Sequence, residues 1–117
     1  MTETELKNRT KQFALRVLKL VAALPKTTEG RVLGNQLTKS GTSVGANYRA
    51  ACRGRSRAEF IAKLGIVEEE ADESAYWMEL IVDGGLLVKN KVDALRKEAC
   101  ELTAIITASR LSASGKR

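Results

Sequence analysis

The sequence predicts an all-α protein, an antiparallel up-down-up-down four-helix bundle. Three observations predict it. Four segments of roughly 20 residues repeat apolar side chains at three- and four-residue spacing, the period of a helix with one buried face. Short breaks holding Pro25, Gly54 and the Gly84-Gly85 pair separate them. Apolar residues make up 44% of the chain but aromatics only 4%, so the core must be Leu, Val, Ile and Ala at short interhelical distance. That composition suits helices better than sheets. At 117 residues the chain is one domain by length, and a chain of this size buries roughly 65% of its unfolded surface. Residues 1–112 are read as the bundle and 113–117 as a disordered tail.

The first helix spans about Glu3 to Leu24, with Leu6, Phe13, Val17, Leu20 and Leu24 on one stripe and Pro25 as its stop. The second begins near Thr28 as a plausible N-cap and carries Val32, Leu33, Leu37 and Val44 towards Cys52. Gly30, Gly34, Gly41 and Gly45 recur in it, each costing about 0.8 to 1 kcal/mol against Ala in a helix interior. These glycines lie near one face and admit a close neighbour, yet a break around Ser40 to Ser43 is equally physical. A kinked or interrupted second helix is expected. The third opens on Ser56-Arg57-Ala58-Glu59, a capping-box pattern, and holds a seam of Phe60, Leu64, Val67, Ala71, Ser74, Met78 and Ile81 until Gly84-Gly85. The fourth runs from about Asn90 to Leu111 on Val92, Leu95, Ala99, Leu102 and Ile106.

Histidine is absent, which removes the commonest general base and the commonest metal ligand together. No enzyme activity, cofactor or metal is expected. Glu69 and Glu73 lie four apart on one helix face, but the ligands a di-metal carboxylate site needs on the other helices are missing. Cys52 and Cys100 match no metal or redox spacing and read as two buried, reduced thiols. No apolar run approaches the roughly 20 residues of a membrane span, and the N-terminus lacks the order of a signal peptide. A soluble, cytoplasmic protein with no membrane partner is the expectation.

Charge is segregated along the chain. Up to Arg57 there are twelve Lys and Arg against three Glu, net +9; from Ala58 onward eight stand against eleven, net −3. Such asymmetry marks a nucleic-acid surface, or it is neutralised inside the bundle when the third helix packs on the second. Arg49, Arg53, Arg55 and Arg57 crowd the second turn beside a helix N-terminus, a natural place for phosphate. No base-reading motif accompanies them. The other reading pairs these arginines with Glu69 and Glu73, as structural ion pairs within the bundle or with a neighbouring subunit. Tyr76 and Trp77 are adjacent, hence about 100° apart on their helix, so at most one lies on the internal seam. The other needs a second surface, and an oligomer interface is its commonest use.

The runs QLTKSGTSVGANYRAA (36–51), SRAEF with AKL (56–64) and EEADES with YWMEL (69–80), in this order, resemble the family of the 23S rRNA intervening-sequence protein across about Phe13 to Leu87. The resemblance implies a left-handed antiparallel four-helix bundle, assembled as a ring-like homopentamer, with an RNA-linked role. More distantly the chain is similar to the accessory variability determinant of diversity-generating retroelements, a basic pentameric bundle that binds nucleic acid and a reverse transcriptase. Carried over residue by residue, it implies phosphate contacts at Lys39, Arg49, Arg53, Arg55 and Arg57, and it supplies no catalytic residue. Met78 stands where the family usually has an aliphatic side chain, and Gly84-Gly85 suggests a looser end to the third helix. Two functional readings follow: an oligomer that binds RNA or DNA through phosphate, or an assembly protein serving a partner such as a reverse transcriptase.

Overall fold

The structure, a computed structural model, describes residues 1–115 and contains four helices and no strand among them. They are α1 (Glu3–Ala22), α2 (Thr28–Cys52), α3 (Arg57–Asp83) and α4 (Lys89–Ala113). Helices adjacent in sequence pack together, and α4 closes back on α1, while the Cα traces of the diagonal pairs α1–α3 and α2–α4 stay more than 8 Å apart among the described residues. The result is a four-cornered antiparallel bundle of 44 × 23 × 21 Å. The long axis agrees with the roughly 40 Å that 27 helical residues span.

The expected seams form the core. Leu6, Phe13, Val17 and Leu20 of α1, Leu37 and Val44 of α2, Leu64, Val67, Ala71, Met78 and Ile81 of α3, and all five expected residues of α4 are buried. Met78 fills the position with no exposed surface. Val32 departs from expectation: it lies on the outer face of α2, 53% exposed.

Of the expected kink or interruption, the interruption does not occur: α2 is an unbroken run of 25 helical residues. The glycines explain it, because α1 occupies the space their side chains would need. A Cβ on Gly41 would stand 2.8 Å from both Val17 methyl carbons, and one on Gly45 would stand 3.2 Å from Thr10 Oγ1. Interhelical packing thereby offsets the propensity cost. On the α3 side a buried polar bridge fixes the register. Ser74 Oγ donates to the Glu70 carbonyl at 2.8 Å, and Ser40 Oγ lies 2.8 Å from Ser74 Oγ.

The helix ends show why the chain stops where it does. Thr2 and Glu5 form a full capping box at the start of α1, a signal overlooked in the sequence. The helix α2 is capped by Thr27, which accepts from Gly30 N at 3.1 Å, rather than by Thr28. At α3 only half of the expected box closes: Ser56 Oγ accepts from Glu59 N, whereas Glu59 turns to accept from Arg55 N at 3.3 Å. The end of α3 is firm rather than loose. Gly85 takes φ +76°, Leu86 N donates to Ile81 O at 2.9 Å and Gly85 N to Val82 O at 3.0 Å, which is a Schellman motif. The helix α4 continues to Ala113, two residues past Leu111, and ends on Ser114 and Gly115; Lys116 and Arg117 of the expected tail lie outside the described residues.

Candidate nucleic-acid interface

The antiparallel order gathers the start of α1, the end of α2 and the start of α3 at one end of the bundle. Arg49 occupies the last turn of α2, Arg53 caps it, Arg55 sits in the connecting turn and Arg57 opens α3. Gly54 permits this tight turn, since a Cβ there would lie 3.0 Å from Ala51 O and 3.3 Å from Phe60 N. All four side chains are exposed, as is Lys39 two turns and more back along α2. Among the described residues none of these five cations has a carboxylate within 4.0 Å.

Glu69 and Glu73 do not answer the arginines. Both are exposed, and neither makes an ion pair among the described residues, so the expected pairing with second-helix arginines is not formed within the chain. The reason is rotational. Glu69 and Glu73 sit on the outer side of α3, opposite its buried Val67, Ala71 and Ser74. Glu70, one position round, is half-buried on the α2 side; desolvation pushes its carboxyl above the usual range, Glu73 and Glu69 add to this, and Lys39 opposes it.

The ion pairs that do brace the bundle were missed. Glu68 of α3 accepts from the Thr107 hydroxyl and from Arg110 Nε of α4, the latter at 2.9 Å, and these bonds, Thr107 first, hold its carboxyl below the usual range. Arg9 of α1 reaches α4 through Nε and Nη2 to the two Glu98 oxygens, both at 2.7 Å, and through Nη2 to Glu101 at 3.0 Å. Hydrogen bonding to Glu98 drives the Arg9 guanidinium further towards its charged form. Both pairs flank buried seams, the position at which long charged side chains reach across to a neighbouring helix. The sequence shows that flanking position but not which neighbour each one faces.

Two more basic residues join Arg49. Lys7 and Lys11 of α1 lie across a surface cleft from it. Tyr76 points outward, 51% exposed, while Trp77 packs against the core with its ring 5.3 Å from that of Tyr76. Trp77 Nε1 is buried with no hydrogen-bond partner among the described residues. The cysteines are both free, but only Cys52 is partly buried, with its thiol pushed up chiefly by desolvation; Cys100 is exposed, against expectation, 4.0 Å from Arg96 Nη1. No group of three His, Cys, Asp or Glu side chains suited to a metal ion occurs among the described residues, nor a helix long and apolar enough to cross a membrane.

These features define an antiparallel four-helix bundle whose unpaired positive charge is concentrated on two helices and the turn that follows them. The family model of the 23S rRNA-intervening sequence protein matches residues 2–108, and the chain belongs to that family. It is also similar to a crystal structure from Bacteroides thetaiotaomicron, described as a protein of unknown function from the S23 ribosomal protein family. The two share 32% identity over 89% of this chain and 96% of the other, with a TM-score of 0.83. No curated protein matches.

Proposed function

We propose that this chain is a non-enzymatic, oligomeric RNA-binding protein that holds its nucleic acid through phosphate contacts at Lys39, Arg49, Arg53, Arg55 and Arg57. The observation that carries this reading is that all five cations are exposed and lack a carboxylate partner among the described residues. A second support is the run from Gly30 to Ala58, which contains no Asp or Glu at all. Phosphate neutralisation releases counterions, so affinity falls with salt by a log-log slope of about 0.7 per contact on single strands and about 0.9 on duplex DNA. Joint substitution of Arg53, Arg55 and Arg57 by Ala should flatten the slope on single-stranded RNA by about 2. Absence of wild-type binding at about 50 mM salt, where such contacts are strong, would sink the reading.

A second reading is favoured by Tyr76. Its side chain is 51% exposed on α3, and an exposed aromatic on a bundle helix is covered most often by another protein surface. On this reading the chain is chiefly an assembly protein, a homopentamer serving a partner such as a reverse transcriptase. Light scattering on wild type and Tyr76→Ala decides it. A pentamer that dissociates on this substitution supports the interface, and a wild-type monomer at micromolar concentration removes it.

A further inference from the structure

The cleft between the outer edges of α1 and α2 has a volume of about 550 Å³. That is the size of a small-molecule site. Its floor is made of small residues, Ala14, Gly45 and Ala46, because the two helices are drawn together where Gly45 meets Thr10. Lys7, Lys11 and Arg49 stand round it. Lys11 and Arg49 have no carboxylate within 4.0 Å among the described residues, and Lys7 has only Glu3, at 4.0 Å. No carboxylate lines the cleft, Glu3 included. The Asn8 amide and the Thr4 hydroxyl, also in the lining, make no hydrogen bond within the chain among the described residues. Those groups are donors and acceptors left for a ligand.

A comparison within the same molecule sharpens this. A cleft of about 460 Å³ between α1 and α4 also carries cations, Arg16, Lys19 and Lys91, but its remaining lining is Ala and Leu only. It offers charge without neutral hydrogen-bonding groups. The α1–α2 cleft alone of these two combines an apolar floor for the face of a flat ring, an amide able to pair with a ring edge, and a cationic rim for phosphate.

We infer that the α1–α2 cleft binds a nucleoside 5′-phosphate, with the base over Ala14 and Ala46, its edge at Asn8, and the phosphate between Lys11 and Arg49. The same chemistry comes from a free nucleotide or from the 5′-phosphorylated end of an RNA strand, and only the second source rests on the RNA-binding reading. The test is amide NMR titration of the full chain with AMP, adenosine and inorganic phosphate. AMP should shift residues of α1 and α2 around the cleft and bind at least about tenfold more tightly than either fragment, since one charge-assisted contact is worth that factor. Lys11→Ala and Arg49→Ala should each weaken it by about tenfold. Ala46→Leu, an exposed mid-helix change that fills the cleft without altering charge, should abolish binding while leaving the melting temperature in place.

Competition separates the two sources. Displacement of AMP by 5′-phosphorylated RNA at a concentration at least about tenfold lower than by the same RNA with a 5′-hydroxyl, which shares only Arg49 with the cleft, identifies the strand end. Failure of either RNA to compete identifies the free nucleotide. AMP shifts scattered over lysines and arginines of every face, equal binding of inorganic phosphate, or an Ala46→Leu variant that binds AMP normally would each overturn the site. If RNA affinity and its salt slope are intact while AMP does not bind, the cleft is refuted and the RNA-binding reading stands. If RNA fails to bind but AMP occupies the cleft, the reverse holds.

Discussion

Removing one charge from the α1–α4 brace gives the sharpest test of how this bundle is held. Glu98→Gln keeps the shape of the side chain and one acceptor oxygen but deletes the carboxylate that takes both Arg9 bonds at 2.7 Å. The Arg9 side chain is 24% exposed and that of Glu98 15%, so the pair lies between the surface and buried limits. Breaking a buried pair costs about 3 to 5 kcal/mol, whereas an exposed pair contributes about 0.2 to 1. Arg9 retains Glu101 at 3.0 Å, but that partner is 66% exposed and compensates weakly. A loss of about 2 kcal/mol follows from these limits. With an unfolding entropy of about 2.1 cal/mol/K per residue, the 117-residue chain loses about 8 °C of Tm. Thermal melts at fixed protein concentration measure it, with Glu69→Gln and Glu73→Gln as controls that should move by no more than about 2 °C. A Glu98→Gln melt inside that control range would refute the reasoning. So would a control variant that falls as far as Glu98→Gln.

Four further outcomes are expected. Glu70→Gln should raise Tm at pH 7: desolvation and the neighbouring Glu73 raise the folded pKa of Glu70 above 4.5, so its charge destabilises the fold at neutral pH. The gain should shrink as pH falls through that raised value and vanish below about 4.5, where both states are protonated; a constant gain across pH would contradict it. Glu68→Gln should behave oppositely, because the folded pKa of Glu68 is depressed by Thr107 and Arg110. Its contribution, about 1 kcal/mol, is present above pH 4.5 and lost as pH falls through the depressed value, so variant and wild type should converge in acid melts. Gly41→Ala should destabilise by about 1 to 2 kcal/mol, since overpacking against Val17 outweighs the helix-propensity gain. Gly65→Ala should stabilise by up to about 0.8 kcal/mol, because its Cβ would meet nothing nearer than Arg110 Cδ at 4.0 Å. Denaturant unfolding of the two alanine variants checks both signs.

The seams were legible because burial repeats with the period of the helix itself. Val92, Leu95, Ala99, Leu102 and Ile106 are the expected stripe of α4, and all five are buried. What the sequence concealed depends on a neighbouring helix. The continuity of α2 is one example: four glycines raise the local cost of helix, and only α1 lying against Gly41 and Gly45 shows how that cost is offset. The partner of Glu68 is another. Glu68, Glu69 and Glu70 are identical in type and adjacent, but steps of 100° send one to Arg110, one to solvent and one towards α2. Val32 and Cys100 failed as buried positions for the same reason. Apolar character told that each could be buried, and the rotation of its helix placed it outside. The five candidate cations were legible as a cluster, whereas Lys7 and Lys11 were not. They come from another helix, and only the antiparallel packing of α1 on α2 brings them beside Arg49.

The topology also decides what the segregated charge is free to do. The α3 segment carries eight carboxylates against Arg57 and Lys63, net −6, while the chain as a whole is +6. Were α3 packed against α1, the two would neutralise each other along their length, and the asymmetry would be a device for folding. In the bundle α1 and α3 are diagonal, with their Cα traces more than 8 Å apart among the described residues. The helix α2 does adjoin α3, but the contact is made through Ser40, Ser74 and apolar side chains, with Glu69 and Glu73 rotated outward. Of the eight α3 carboxylates only Glu68 makes an ion pair among the described residues, and its partner is on α4. Positive charge on α1 and α2 and negative charge on α3 therefore face outward on different sides of the molecule. Between the diagonal helices α1 and α3 a Debye length of about 8 Å at physiological salt screens what remains of their attraction. An anion approaching the α1–α2 side meets cations that lack an ion-pair partner among the described residues, Lys39 alone being opposed by Glu70 of the acidic helix.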